Sequence, residues 1–196
     1  MARWEPDAGE RLERAALALF AEQGYDSTTV IQIAERAGLT KSTFFRHFAD
    51  KREVLSGRQD VLAGRFGAAI RDAAPSATIT DCLAAALESA AARFTPDRRD
   101  LTLQRLTITA NHSELQEREL LKRARLAAAI ADALRARGVE EITARLAAEI
   151  GDLAFGIAVT HWAAPDNQQP YTEIAHTALA DLCARAATLD AQNAKP

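Results

Sequence analysis

Apolar positions along this chain recur every three or four residues almost from end to end, and the strict alternation of a half-buried strand is scarce. The clearest stretch is Thr28 to Phe48. Val30, Ile33, Ala34 and Ala37 fall at i, i+3, i+4 and i+7 and form one apolar helical face. Thr28 precedes that face and reads as its N-cap. Gly38 ends it, because glycine takes the left-handed conformation that closes a helix. Thr40 then reads as a second N-cap. The next helix carries Phe44 and Phe48 one turn apart on one face, and Lys41, Ser42, Thr43, Arg46 and His47 on the other. A helix this short needs a tertiary partner. The preceding helix and the two phenylalanines supply one. What stays outward is a small polar and cationic face, the layout of a helix-turn-helix whose second helix enters a major groove.

The same periodicity organises the rest. Asp7 with Glu10 fits a capping box after Pro6 and starts a helix striped by Leu12, Ala15, Ala16, Leu19 and Phe20, which Gly24 stops. The residues before it read as a frayed end, with Arg3 a minor-groove contact only as the lesser alternative. Asp50 and Glu53 form a further capping box and open one long helix to about Ala74, before Pro75. Helices are then predicted over Thr80–Phe94, Asp97–Asn111, Ser113–Arg137, Glu140–Ala164 and Pro170–Leu189, with Ser113 and Gln116 as a capping box and Gly138 as a stop. The expected fold is all-α with about nine helices. A three-helix helix-turn-helix domain covers residues 1–50, and a helical bundle covers residues 51–196.

In the last pair of helices the apolar residues fall on more than one side. Ile142, Leu146, Ile150, Leu153, Ile157 and His161 step by three and four, as do Ile174, Ala178, Leu182 and Ala186. Gly151 and Gly156 each cost about 1 kcal/mol relative to alanine in a helix interior, which predicts close packing against another helix. Such a pair can meet its own copy in a four-helix bundle. Ile150, Leu153, Ile157, Ile174, Ala178 and Leu182 are then the expected interface; the alternative spends both stripes on the chain's own core.

Composition narrows the functional classes. The chain of 196 residues is 48% hydrophobic, enough for a core without staples. Its net charge of −3 excludes a generally basic nucleic-acid binder but not a local footprint. Between Arg36 and Arg58 the cations Arg36, Lys41, Arg46, Lys51, Arg52 and Arg58 face only Asp50 and Glu53. Cys82 and Cys183 have no metal-ligand spacing and read as plain thiols. His47, His112, His161 and His176 make no H-x-x-x-H pair, and no G-x-S-x-G or phosphate-cradling loop occurs. No metal, no cofactor and no enzymatic activity are therefore expected. No apolar run approaches the roughly 20 residues that span a bilayer, so the expected location is the cytoplasm.

The run RLERAALALFAEQGYDSTTVIQIAERAGLTKSTFFRHFADKREVL resembles the N-terminal domain of the tetracycline-repressor-like (TetR) regulators. The likeness lies in F-x-x-x-G-Y-x-x-T-T-V (Phe20 to Val30), I-A-x-x-A-G (Ile33 to Gly38) and T-F-F-R-H-F-x-x-K (Thr43 to Lys51). It covers about the first quarter of the chain; the remainder resembles the family only in length and helical pattern. A weaker likeness to acyl-CoA-responsive members lies in the phenylalanine pair and in NHSELQERELLKRARLAAAIADAL. Phe45 departs from the pattern. Many members place there a tyrosine that reaches a phosphate, and Phe45 has no hydroxyl, although its ring can lie against the sugar-phosphate backbone.

The resemblance implies a homodimeric regulator, by default a repressor of a palindromic operator, released by a small-molecule effector. An activator of the same fold is the alternative, with a helical adaptor or an enzyme without DNA binding less favoured. From their chemistry Lys41 and Thr43 are assigned to base edges and Thr40 and Ser42 to the same end of the recognition helix. Thr28, Thr29, His47 and Lys51 are assigned to phosphates, and Arg46 to either. A cation in the first turn of a helix opposes the helix dipole. Lys51 therefore has another reason to be there, for which family members supply phosphate binding. The family's effector binding makes Phe66, Phe94, Leu103, Phe155 and Trp162 candidate pocket walls, with Arg105, Thr107, Asn111, His112 and His161 as polar contacts.

Overall fold

The computed structural model describes residues 8–56 and 59–189. Among them are ten α-helices: α1 (Ala8–Gln23), α2 (Val30–Arg36), α3 (Lys41–His47), α4 (Lys51–Ser56), α5 (Gln59–Asp72), α6 (Ile79–Glu88), α7 (Arg99–Ala110), α8 (Ser113–Ala136), α9 (Glu141–Ala163) and α10 (Tyr171–Ala187). Two 3-10 turns, Ala91–Arg93 and Pro96–Arg98, precede α7. No strand occurs among the described residues. The chain divides into two compact units, Met1–Arg58 with Asp100–Leu120, and Gln59–Arg99 with Leu121–Pro196.

The first unit is built around α1. Its stripe of Leu12, Ala16, Leu17 and Phe20 is buried with Ile33 and Ala34 of α2, Phe44 of α3 and Val54 and Leu55 of α4. Burying a side chain the size of phenylalanine is worth about 1.5–3 kcal/mol. That is enough to hold seven-residue helices that would not persist alone. Leu115 of α8 joins this core. The end of α2 follows the glycine expectation: Gly38 has φ +66°, its N–H bonds the Glu35 carbonyl, and the Leu39 N–H reaches back to Ala34. Arg11 of α1 donates to the Ala37 carbonyl and ties α2 to its support. Gly138 closes α8 in the same way at φ +88°.

The sequence expectations need several corrections. The predicted long helix from Asp50 is described in two parts, α4 and α5; its junction at residues 57–58 lies outside the described residues, and the count of ten in place of about nine comes from that junction alone. The Asp7–Glu10 box, the Arg3 contact and the Arg58 cation also lie outside the described residues. The cap of α2 is Thr29, not Thr28: Thr29 and Gln32 form a reciprocal capping box. Ser113 lies inside α8 rather than capping it, and Gln116 donates through Nε2 to the Ala110 carbonyl. The helix predicted to Phe94 stops at Glu88, because the chain turns into the 3-10 segment.

In the second unit α9 and α10 pack along each other, with α5, α6 and the rest of α8. A Cβ on Gly151 would meet Leu83 at 3.0 Å and Ile130 at 3.4 Å, so this glycine does permit close packing. Gly156 has nothing within 4 Å of that position. Ile174 and Ala178 are buried in the unit itself, which removes them from any outward-facing stripe. Leu153 is exposed, as are Ile142 and Leu146, while Ile150, Ile157 and Leu182 are half-buried. No described helix is long and apolar enough to cross a membrane.

Two glycine replacements should therefore move stability in opposite directions. Gly138→Ala, at positive φ, is expected to lower it by about 1 kcal/mol. Gly64→Ala, in open space within α5, is expected to raise it by about the same amount. Denaturant midpoints of the two variants against the parent check this.

Candidate functional site

α3 is positioned from beneath by two rings. Phe44 is fully buried and Phe48 nearly so, with ring centroids 5.6 Å apart. Their burial fixes the rotation of the helix and turns Lys41, Ser42, Phe45 and Arg46 out to solvent. Thr40 caps the helix: its Oγ1 accepts the Thr43 N–H at 3.1 Å. The Thr40 and Thr43 hydroxyls share a hydrogen bond of 3.0 Å, and Arg46 donates to Thr43 Oγ1 at 3.3 Å. Thr40, Thr43 and Arg46 thus form one hydrogen-bonded ridge along the exposed face. Phe45 is half exposed, with its edge against Phe44 at 5.5 Å and the Lys41 ammonium 5.9 Å from its centroid.

The cationic footprint is narrower than the count of cations indicates. Arg36 pairs with Glu22. Arg52 pairs with Asp50 at 3.0 Å. Among the described residues Lys41 and Arg46 have no carboxylate partner, and both lie on the exposed face of α3. The remaining phosphate candidates divide. Thr29 is exposed and His47 half-buried. Thr28 is 2% exposed, donates to the Gly24 carbonyl at 2.8 Å and accepts from Gln23. Its hydroxyl is committed to the turn, so its assignment to a phosphate is withdrawn.

Lys51 has an office besides the one assigned to it. Its ammonium donates to the Tyr25 carbonyl at 2.6 Å and lies 4.1 Å from the Tyr25 ring centroid. This explains a cation in the first turn of α4. In the free protein one of its three N–H donors clamps α4 to the turn after α1. Neighbouring groups extend the clamp within the first unit. Asp50 accepts from the Glu53 N–H at 2.8 Å and from Arg118 of α8 at 2.9 Å, and the Tyr25 ring meets His112 edge-on at 5.0 Å. Burial pulls the Asp50 carboxyl upward, but the Glu53 N–H and the Arg118 and Arg52 guanidinium groups outweigh it and hold it below its usual range. Burial, then the Glu114 carboxylate, pushes the Tyr25 hydroxyl well above its ordinary value.

The ten effector candidates fall in both units. Phe66, Phe94, Phe155 and Trp162 come together in the second unit, where Phe155 meets Phe66 at 5.5 Å and Phe94 at 6.1 Å, and Phe94 meets Trp162 at 5.2 Å. Leu103, Arg105, Thr107, Asn111 and His112 belong to the first unit. There the Thr107 hydroxyl is spent on Leu103, the Asn111 amide on Thr107 and the His112 ring on Ile108. His161 is exposed. Sequence reasoning missed three members of the second unit. Tyr171 stacks on Phe94 at 4.1 Å. Arg99 lies 5.3 Å from the Trp162 centroid. Asp152 is 4% exposed and accepts from Arg123 at 2.8 Å. Asp152 carried a signal, an acid amid the apolar residues of α9; Tyr171, just after Pro170, carried none. The Tyr171 hydroxyl and Arg99 Nε are buried without a hydrogen-bond partner, and such a group costs about 1–3 kcal/mol.

Comparison with known proteins gives this geometry its context. Residues 13–56 match the model of the bacterial regulatory proteins of the tetR family. The transcriptional regulator TcmR of Streptomyces glaucescens is 58% identical over 45 residues, 23% of this chain and 20% of that protein. The transcriptional repressor KstR2 of Mycobacterium tuberculosis is 45% identical over 62 residues, 30% of each. The likeness thus spans less than a third of either relative. Over the whole chain the likeness is one of fold. SmeT of Stenotrophomonas maltophilia, solved with triclosan, aligns with a TM-score of 0.62 at 21% identity, covering 90% of each chain. FadR of Thermus thermophilus, solved with lauroyl-CoA, aligns with a TM-score of 0.54 at 26% identity over 89% of this chain and 93% of that one.

The Asp50 cluster predicts a pH dependence. A carboxyl held low in the folded state stabilises above its unfolded value, near 3.9, and that stability is lost as pH falls through the folded value. Asp50→Asn should therefore be less stable than the parent at neutral pH, with the gap closing below about pH 4. Denaturant titrations of both proteins across that range check the sign.

Proposed function

We propose that this chain, a member of the tetR family of bacterial regulatory proteins through residues 13–56, is a homodimeric repressor of transcription. It binds a palindromic operator and leaves it when a small molecule occupies the second unit. The observation that carries the reading is the exposed face of α3, where Lys41, Ser42 and Arg46 stand outward over a buried Phe44 and form a hydrogen-bonding, cationic surface at a helix-turn-helix. Lys41 donates to guanine, and the Thr43 methyl and hydroxyl serve thymine or a base acceptor. His47 and Arg46 hold phosphates, as does Thr29 once its hydroxyl turns from Gln32 Oε1, and Phe45 lies against the backbone without the hydrogen bond of a tyrosine.

One copy reads too few bases for specificity, whereas two related by symmetry read half-sites about 34–36 Å apart or a multiple of it. The surface that supports pairing lies on α9. Ile142, Leu146 and Leu153 are 75%, 59% and 43% exposed, with Ile150 and Ile157 partly covered between them. Gly156, open on its outer side, lies along the same stripe and allows a second helix to approach closely. Leu182 of α10 stays in the interface; Ile174 and Ala178 do not. Residues 1–50, expected as the reading head, share their unit with residues 51–58 and 100–120, so the pairing and sensing roles fall to residues 59–99 and 121–196. Release follows if the effector binds one conformation better than the other, by no more than its differential affinity. The Asp50–Arg118 pair at α4 and α8 is the contact through which α4 is held. KstR2 is named a repressor, which supports the sign. SmeT and FadR were solved with triclosan and lauroyl-CoA, which supports a small-molecule effector without fixing its class.

Selection of bound duplexes from a random pool tests the reading, and a palindrome is the expected product. Affinity for it should fall steeply with salt. Lys41→Ala should weaken binding by about 5- to 150-fold, the 1–3 kcal/mol of one base contact, with folding unchanged. Binding equal to the parent at every salt concentration would remove Lys41 from the site. Leu153→Glu, at a position already open to solvent, should sediment as a folded monomer that no longer holds the selected duplex. A variant that remains a dimer would place the pairing surface elsewhere.

A further inference from the structure

We infer that the ring cluster of the second unit is a binding site for a flat aromatic molecule bearing an acceptor oxygen, and that the Phe94 side chain fills it in the free protein. The inference rests on the effector reading above and names the class of effector. Phe155 and Trp162 stand on α9 and Tyr171 on α10, so three walls are set by long regular helices. Phe94 alone comes from irregular chain. It sits between the two 3-10 turns with φ −110° and ψ 61°, outside any helix. Its ring lies nearly parallel to Tyr171, with centroids 4.1 Å apart and planes 16° apart. It meets Trp162 edge-on at 71° and Phe155 at 62°. Stacked on one ring and bordered edge-on by two others, it has the surroundings that an aromatic ligand prefers.

The fit of Phe94 is incomplete in one respect. The Tyr171 hydroxyl, on the ring that Phe94 covers, is buried and has no hydrogen-bond partner, and the same is true of Arg99 Nε. Burial holds the Tyr171 hydroxyl protonated, so it remains a donor. Arg99 is already fixed, with its guanidinium over the Trp162 ring and Nη1 donating to the Asn167 carbonyl. Two unspent donors thus accompany an all-aromatic lining, and a phenylalanine has nothing to offer them. A ring of similar size carrying a phenolic, carbonyl or carboxylate oxygen replaces the stacking that Phe94 supplies and also accepts from these donors. A linear acyl chain also brings an acceptor oxygen but cannot replace the stacking. Phe94 and Phe155 are half-buried where Trp162 and Tyr171 are 2% exposed, and of the two only Phe94 lies outside a helix.

Calorimetric titration of the full chain, without DNA, with 2-naphthol, naphthalene and decanoate tests this. The parent should bind 2-naphthol in preference to naphthalene, and both in preference to decanoate. Phe94→Ala, or Phe94→Leu should the alanine variant not fold, should bind 2-naphthol about tenfold more tightly, because no internal ring competes. Tyr171→Phe should abolish most of the preference for 2-naphthol over naphthalene. A chain carrying 4-fluorophenylalanine at position 94 gives a readout independent of these variants: its fluorine resonance should shift on saturation with 2-naphthol as the ring leaves the stack. Equal affinity of parent and Phe94 variants, an unmoved resonance at saturation, no binding of either aromatic probe, or tighter binding of decanoate would each overturn the inference. Binding of 2-naphthol with no effect on a selected duplex would instead overturn the regulatory reading and leave the site intact.

Discussion

The exclusion of the Phe44 ring from water is the constraint on which the exposed face of α3 depends. A seven-residue helix has too few internal hydrogen bonds to repay its nucleation. α3 exists because Phe44, with Phe48 one turn on, is held in a core that α1 builds from Leu12, Ala16, Leu17 and Phe20. The same burial sets the azimuth of the helix, and so decides which residues face out. Lys41, Ser42 and Arg46 are exposed because Phe44 is not. Lys51 and Arg11 add to this from either side, one clamping the turn at Tyr25 and the other tying down the end of α2.

The parts of this architecture governed by local rules were readable in the residues. Helical periodicity, the left-handed glycines at 38 and 138 and the cap at Thr40 each depend on a few neighbours, and each stands where the pattern put it. The failures came where a choice between equivalent local options is made at long range. Thr28 and Thr29 are both competent caps; burial of Thr28 under its bond to Gly24 left the cap to Thr29. Lys51 reads as a phosphate-binding cation, and nothing local shows that the fold also brings the Tyr25 carbonyl and ring to it, 26 positions away in sequence. The dimer stripe failed in part for the same reason. α10 has apolar residues on several sides, and only packing against α9 and α6 decides that Ile174 and Ala178 face inward.

The second unit resolves its apolar surplus in two ways. On one side of α9 large rings gather, Phe155 against Tyr171 of α10 and Trp162 against Phe94, and polar atoms that find no partner accompany them. On another side Ile142, Leu146 and Leu153 remain in contact with water. A core that leaves donors unsatisfied and a surface that leaves aliphatic groups wet are both costly in a protein that acts alone. In the function proposed above, an effector with an acceptor oxygen would relieve the first cost and a second copy of the chain the other.

The hydroxyls of Thr40 and Thr43 share a single proton position. With the Thr43 N–H and the Arg46 guanidinium already donating to the two oxygens, either threonine can be the donor in the bond between them. Whichever donates inward leaves the other with its proton pointing away. The pair therefore holds one outward hydrogen that can sit at either of two neighbouring spots, and moving it requires rotation of two light groups and no shift of heavy atoms. A rigid ridge thus retains a small tautomer-like freedom, able to meet an acceptor a few ångströms to one side or the other without disturbing the helix beneath.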